Sequence, residues 1–356
     1  MSDIHASAES GSLRIQRLSP GNATDLARWD RFVAASADAT FFHRSGWQRI
    51  LTDVFRHRTF FLYVESAGEI VGVLPLAQVK SRLFGNSLTA LPFAVYGGIV
   101  TSDPAVGALL EAEAEKIARE LDVQHLEYRN VRAKHSDWPR QTLYVTFRKE
   151  ILPDEEANML AIPRKQRAMV RKSQKNGLRS VVDPDARRFF DLYADNVRRH
   201  GTPALPRAYF DALLDEFGEN CSVLTVEDAE GIPVSSVVSF YFRDEVLPYY
   251  AGDHVRARQL AANDFKYWEL MRRSCAAGLK VFDYGRSKVD SGSYSFKRNW
   301  GFEPTPLNYE YRLYKRDAIP QNNPNNPKYK LLINTWKRLP LAFANRLGPL
   351  IVRNLG

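Results

Sequence analysis

Hydrophobic and polar positions along the chain follow two periods, and these change places in the same order twice. Apolar residues recur at helical spacing over Asn22 to Ala35 and over Ser45 to Phe55, where Trp47, Ile50, Leu51 and Val54 fall on one face. Phe60 to Val64 and Ile70 to Val79 are β-rich runs on either side of the turn Ser66-Ala67-Gly68-Glu69, which predicts a hairpin. The glycine-marked segment Tyr96-Gly97-Gly98-Ile99-Val100 follows, then an amphipathic helix over Val106 to Leu121 and a strand over Val123 to Val131. After residue 185 the order returns. The pattern predicts helices over Ala186 to Arg199 and Arg207 to Phe217, hairpin strands over Ser222 to Val226 and Pro233 to Phe242, a strand over Val246 to Ala251, a helix over Ala261 to Ala277, and a strand over Val281 to Tyr284. Leu62 to Gly68 also matches Leu224 to Gly231 in residue type, so a duplicated α/β unit is the simplest account.

A chain of 356 residues with 44% hydrophobic content is long enough for two packed cores. The expected division is residues 1–152, a connector over 153–185, a second unit over 186–317, and a tail over 318–356. The connector holds seven basic residues from Arg164 to Arg179 and no acid. On a helix stopped by Gly177, the side chains of Arg164, Arg167, Arg171 and Lys175 form one stripe. Like charges on a helix repel by a few tenths of a kcal/mol per pair, roughly, which a bound polyanion removes. A plain solvated connector is the alternative.

The tail extends the same imbalance. After Asp317 no acid occurs, while Lys328, Lys330, Lys337, Arg338, Arg346 and Arg353 alternate with Leu331, Leu332, Ile333, Trp336, Leu339, Phe343, Leu347, Leu350 and Ile351. Pro340 and Pro349 break it into pieces too short to span a bilayer. Such a basic amphipathic segment either lies in an anionic interface or packs on the body of the protein. The net charge of +9 points the same way, toward an anionic partner.

Other classes fall away. Cys221 and Cys275 have no His or Cys neighbours at metal-ligand spacing and the seven histidines are scattered, so neither a disulfide framework nor a metal site is expected. Met1 to Gly11 lacks an apolar signal core and nowhere do eighteen uncharged apolar residues run together, which predicts a cytoplasmic protein, peripheral to the inner membrane if the tail binds lipid.

Chemistry concentrates where the last strand of the second unit ends. From Val281 the sequence passes through Asp283, Tyr284, Gly285, Arg286 and Ser287 to Tyr294, Phe296, Lys297, Arg298, Asn299, Trp300 and Gly301. Ligands in α/β sheets collect at strand ends. Lys297 between Phe296 and Trp300 suits an amine held against ring faces or a substrate anion, with a lysine snorkelling from a core helix as the alternative.

Asp283-Tyr284-Gly285-Arg286-Ser287, Phe296-Lys297 and Trp300-Gly301 resemble the closing motif of the FemAB/FemX peptidyltransferases and of cellulose-biosynthesis-type acetyltransferase domains. The basic helix ending in Lys175-Asn176-Gly177, the stretch Arg198-Arg199-His200-Gly201-Thr202-Pro203, and Ser45-Gly46-Trp47 are similar too. The tail, from Asn323-Pro324-Asn325-Asn326-Pro327 to Leu347-Gly348-Pro349, resembles more specifically the FemAB proteins associated with the exosortase/PEP-CTERM system. The likeness runs from about Phe42 to near the end.

The resemblance implies an α/β protein of two tandem GNAT-like domains, with mixed sheets flanked by helices, that transfers an acyl or aminoacyl group to an amine or hydroxyl of a cell-envelope or exopolysaccharide precursor. It implies an aminoacyl-tRNA or acyl-CoA donor and no tightly bound cofactor or metal. Lys297, paired with Phe296, is then a fixed cation near the donor phosphate and the developing oxyanion. Asp283, His200 and Tyr250 are the candidates if a base is used. Arg199 is expected to anchor substrate together with His200, Arg286, Ser287, Tyr294, Trp300, Trp47 and Tyr96. Donor phosphate falls to Arg164, Arg167, Arg171, Lys175 and Asn263, the last an N-cap for the helix after it. Arg286 has an alternative role as partner of Asp283.

The chain departs from the family pattern in several places. It has Tyr96-Gly97-Gly98-Ile99-Val100-Thr101 where a Gly-Pro-rich strand with a following acid is found, and its connector has no room for a long helical arm. Two further departures bear on substrate and donor. Four positions after Trp47 the peptidyltransferases carry a lysine for the precursor's phosphates, and here that position is Leu51. The loop that cradles pyrophosphate in acetyl-CoA enzymes of this fold is rich in glycine, whereas Arg256 to Asn263 has none. The changes at Leu51 and at Tyr96 to Thr101 count against the standard cell-wall nucleotide precursor, and the glycine-free loop against a standard CoA site. The competing function is a non-catalytic module that binds RNA or anionic lipid on the same scaffold.

Overall fold

The computed structural model describes residues 12–82, 84–320 and 327–354, so Met1–Gly11 and Asn323–Asn326 of the tail motif lie outside the described residues, as do the side chains of Lys328 and Lys330. The chain forms two compact units: Met1–Ser136 with Glu310–Arg316, and Asp137–Tyr309 with Asp317–Gly356.

The first unit contains β1 (Arg14–Arg17), α1 (Ala23–Ala35), α2 (Gly46–Asp53), β2 (Arg58–Ser66), β3 (Glu69–Ser81), β4 (Gly85–Thr89), α3 (Pro104–Glu120) and β5 (His125–Asn130). Strands β1 to β4 pair antiparallel in sequence order, and β5 joins parallel to β4 after α3 has crossed the sheet. Asp103 starts α3 by accepting a hydrogen bond from Ala105 N at 2.8 Å with Pro104 in the first turn, and Val106, Leu110, Ala114, Ile117 and Ala118 form its buried stripe. Phe60 to Val64 are all buried, as expected of a strand covered on both faces rather than one.

Glu310 is fully buried and fastens the segment after β5. Its carboxylate accepts hydrogen bonds from Asn130 Nδ2 (2.6 Å), Lys134 N (3.1 Å) and His135 N (3.0 Å), and His135 bridges it to Glu111. Burial alone would lower the His135 pKa, but its bonds to Glu111 and Glu310 outweigh that and raise it to about 9. The charged ring therefore stabilises the folded unit fully below about pH 6.5, and this contribution is lost as pH rises through about 9. Replacing His135 with Asn should cost stability at pH 6 and much less at pH 10, as read by urea denaturation.

The second unit contains β6 (Arg140–Gln141), β7 (Tyr144–Glu150), α4 (Glu155–Ala161), α5 (Arg164–Lys175), β8 (Arg179–Asp183), α6 (Arg187–His200), α7 (Arg207–Phe217), β9 (Cys221–Glu227), β10 (Pro233–Phe242), β11 (Glu245–Asp253), α8 (Ala257–Leu260), α9 (Ala262–Ala276), β12 (Val281–Asp283), β13 (Ser287–Lys288), α10 (Gly292–Asn299), β14 (Pro304–Pro306), α11 (Pro327–Arg338) and α12 (Leu341–Val352). Its sheet runs β13-β7-β12-β11-β10-β9-β8. The antiparallel β9–β10–β11 run followed by α9 and parallel β12 repeats the β2–β3–β4, α3, β5 order, so the duplication read from the sequence is present in three dimensions. Gly252 admits the close passage of α6 over β11, since a Cβ there would lie 2.3 Å from Tyr193 N.

The units divide at Ser136/Asp137, not after residue 152. β7 lies before that expected boundary yet sits inside the second sheet, between β12 and β13, while Glu310–Arg316 returns to the first unit. Val145 and Phe147 of β7 carry the reason, because they belong to one core with Val170, Trp268, Phe282 and Trp300.

Candidate active site

Asp283 is the last residue of β12, and the chain then turns through Tyr284-Gly285-Arg286 before β13 pairs with β7. Gly285 adopts φ +63°, a left-handed backbone that glycine takes without strain. Ser291 caps α10 by accepting from Tyr294 N at 3.2 Å, which fixes the helix so that Lys297 points back under the turn. Its Nζ donates to three successive carbonyls, Tyr284 O at 2.7 Å, Gly285 O at 3.2 Å and Arg286 O at 3.4 Å. The rings of Phe147 and Tyr284 lie 5.6 Å from the nitrogen. Burial lowers the Lys297 pKa to about 7, against the opposing pull of Asp283. The expected fixed cation is therefore an amine whose pKa is drawn toward neutral pH by its burial, while its three bonds to carbonyls use all three donors of the charged form.

Asp283 has a different role from the one expected. It is fully buried, and its oxygens accept from Arg148 Nη1 (2.8 Å), Thr146 Oγ1 (3.2 Å) and Gly285 N (2.7 Å). Fully buried and held by these three donors, it anchors the turn. Its partner is Arg148, not Arg286. Arg286 is exposed as a residue, but its guanidinium is drawn in among tyrosines, 4.7 Å from the Tyr144 ring and 5.9 Å from that of Tyr309 with Nη1 donating to Tyr309 Oη at 3.5 Å, and it has no acidic partner among the described residues. With no acid to neutralise it, its charge can serve an anion, and its own carbonyl is one of the three that hold Lys297.

Of the other residues in this segment, Ser287 is buried and its Oγ accepts from Ser293 Oγ at 3.1 Å, while half-buried Tyr294 sets its ring 5.4 Å from Phe147. Phe296 packs against Tyr267 and Trp300. Trp300 is a correction: it is wholly buried and donates from Nε1 to Asp264 at 3.0 Å, so it is core, not a substrate contact.

Three more expectations change within this unit. Tyr250 shares a hydrogen bond of 2.9 Å with Tyr209, and burial pushes its pKa well above 10, which removes it as a base at neutral pH. Arg199 is spent on Asp195 (2.9 Å), Asn196 (3.3 Å) and the carbonyl of Asp253, tying α6 to the end of β11, while neighbouring His200 is exposed. Asn263 is not an N-cap. Ala261 takes that place at φ 56°, and Asn263 Nδ2 donates to Asp253 Oδ2 at 3.0 Å.

Asp253 is the centre of a polar cluster that the sequence did not advertise, joined by Ser235 and by fully buried Lys266 at 2.9 Å. Burial would raise Asp253, but Lys266 and the donors around it hold it below the usual carboxylate range. The available signal was a lysine set among Phe265, Tyr267 and Trp268 on an apolar helix.

Helix α5 realises the basic stripe. Gln166, Val170 and Ser173 are buried, and Arg164, Arg171 and Lys175 project from the opposite face, exposed like Lys165 and Lys172. These five have no acidic partner among the described residues, whereas Arg167 is half-buried against Leu160 O at 3.5 Å. Trp47 and Tyr96 belong to the first unit. Trp47 is fully buried with Nε1 donating to Phe41 O at 3.2 Å, and the buried Tyr96 ring lies 6.2 Å from Phe42, so both are core. Leu51 is core as well.

Comparison with known proteins defines the fold. Residues 164–298, which include α5, β9 to β12 and Lys297, match the model of the acetyltransferase (GNAT) domain. Among solved structures, the chain is similar to FemX, with 14% identity over 90% of this chain and 100% of that one and a TM-score of 0.67. It is similar also to a tandem GNAT protein from the clavulanic acid biosynthesis pathway (14% identity, 86% and 100% covered, TM-score 0.53) and to L-PGS from Bacillus licheniformis (13% identity, 90% and 98% covered, TM-score 0.56). At these identities the likeness establishes the fold, which is a tandem GNAT fold of two mixed sheets flanked by helices. No curated protein matches the sequence.

Proposed function

We propose that this chain is a FemAB-type acyl- or aminoacyltransferase whose transfer site lies in the second unit, at Lys297 and Arg286. One observation carries the proposal: within the GNAT-matching span, at a strand end, an amine that titrates near 7 is held by three carbonyls beside an exposed arginine. Transfer from an ester or thioester needs the acceptor amine or hydroxyl to lose a proton and the leaving oxygen or sulfur to gain one. To serve both steps the lysine must release one of its three carbonyls, because a neutral amine has only two N–H donors; it then takes the proton on the freed lone pair and returns it as ammonium. Arg286 supplies the fixed charge for a donor phosphate or the oxyanion.

The donor favoured here is aminoacyl-tRNA. Five exposed cations on α5 without acidic partners suit a phosphate backbone, and the loop from Arg256 to Asn263 lacks the glycines that let a backbone close on pyrophosphate. The acceptor is an amine or hydroxyl of an envelope or exopolysaccharide precursor, in keeping with the exosortase-type tail motif. Replacing Arg164, Arg171 and Lys175 together by Gln should weaken tRNA binding by about tenfold or more at low salt and flatten the salt dependence by about two to three in log–log slope. Filter binding across a salt series measures this. An unchanged slope would remove α5 as the donor surface.

The second reading, a silent RNA-binding module, rests on that same basic face. It predicts the same salt dependence with no covalent product.

A further inference from the structure

The tail does not hang free. Trp336 of α11 is buried, Ala344 and Gly348 of α12 are buried with Gly348 close against Ala204, and both helices contact α6. Arg198 of α6 fastens the join by donating from Nη1 to Lys337 O (2.9 Å) and Leu339 O (3.3 Å), the carbonyls at the end of α11.

The outward side is what needs an explanation. On α12, Phe343, Leu347 and Leu350 stand 64%, 40% and 56% exposed at positions i, i+4 and i+7, and the exposed Arg346 and Arg353 share that face. On α11, Leu331 and Leu332 are 75% and 65% exposed, with Lys337 and Arg338 exposed nearby. Five of the thirteen large hydrophobic side chains that stand exposed among the described residues lie on these two helices. The face therefore gains from an apolar medium.

We propose that the outer face of α11 and α12 docks this protein on an anionic lipid bilayer, with Phe343, Leu347 and Leu350 in the headgroup–acyl boundary and Arg346 and Arg353 on the lipid phosphates. Charge selects this occupant. A second copy of the chain would bring the same arginines against each other, and with no acid after Asp317 the tail has nothing to neutralise them. An anionic bilayer supplies the apolar layer and the counter-charge together. Helix α12 has 12 residues, about 18 Å at 1.5 Å per residue. No helix among the described residues is long and apolar enough to cross a membrane, so the pair lies in the plane of the interface. This docking is independent of the chemistry at Lys297.

The test is cosedimentation of the full chain with vesicles of phosphatidylcholine alone or mixed with phosphatidylglycerol. Binding is expected only to the mixed vesicles, and it should fall with added salt. Arg346→Gln and Arg353→Gln should each weaken it about fivefold, and Phe343→Ser, Leu347→Ser and Leu350→Ser combined about a hundredfold. Because these side chains face outward, thermal unfolding by circular dichroism should stay unchanged. Equal binding to phosphatidylcholine alone, or undiminished binding by the triple variant, would overturn the proposal. So would a concentration-dependent dimer, seen by sedimentation velocity without lipid and abolished by the triple variant, which would assign the face to a second copy.

Discussion

Lys297→Met is expected to slow transfer roughly a hundred- to thousand-fold, the usual cost of removing an electrostatic or proton-handling group from a transfer site. Methionine keeps the bulk of the side chain between Phe147 and Tyr284 but gives the three carbonyls no donor, so a moderate loss of stability accompanies the loss of rate. The pH dependence separates the two effects. An unfolded lysine stays protonated to about 10.5, whereas burial makes the folded one release its proton at about 7. Between these values the unfolded state binds more protons, so the wild-type chain should gain stability over the Met variant as pH rises through this window. The wild-type rate should also climb through pH 7 as the amine becomes neutral. That limb should be missing in Lys297→Met and in Lys297→Arg, which cannot deprotonate. A Met variant with wild-type turnover would remove Lys297 from the mechanism.

Asp283→Ala is expected to destabilise the second unit by about 2–4 kcal/mol, because it opens a buried void and takes an acceptor from Thr146, Gly285 N and one side of Arg148. Arg148 retains Glu245, which places the loss toward the lower end. Asp283→Asn keeps an oxygen for the neutral donors and should lose less. In both variants turnover per folded molecule should fall only as far as the Tyr284-Gly285-Arg286 turn loosens around Lys297. Urea denaturation alongside kcat measures the two quantities separately. A general base would show the opposite pattern, with Asp283→Asn well folded and inactive.

Much of this fold was legible because its signals are local. The turn after Ser66, the apolar stripe of α3 and the alternation of helix and strand periods depend on neighbours a few residues apart, and the element order they predict is the order found. The membership of β7 was not legible. Arg148 meets Asp283 across 135 positions, and a segment ending Phe147-Arg148-Lys149-Glu150 gives no local sign that it lies inside a sheet built mostly from later residues.

At the site, motif order pointed to Lys297, yet residue type could not separate lining from support. Trp300 and Tyr250 look like ligand-binding aromatics in sequence, and only burial shows that one braces Asp264 and the other Tyr209. The same limit applied to charge. On paper Arg199 is the stronger anchor and Arg286 a candidate partner of Asp283, but Asp195 and the Asp253 carbonyl occupy the first, whereas tyrosine rings flank the second and no acid among the described residues pairs with it.

The claim that this chain catalyses group transfer is tested most directly by product formation. Purified protein would be incubated with isotopically labelled aminoacyl-tRNA, labelled acyl-CoA donors and envelope extract, and acceptors followed by mass spectrometry. The account predicts label in a new amide or ester on an envelope or polysaccharide precursor, formed from aminoacyl-tRNA and slowed roughly a hundred- to thousand-fold with Lys297→Met. Salt-sensitive tRNA binding with no covalent product from any donor would contradict it and leave a binding module on a transferase fold.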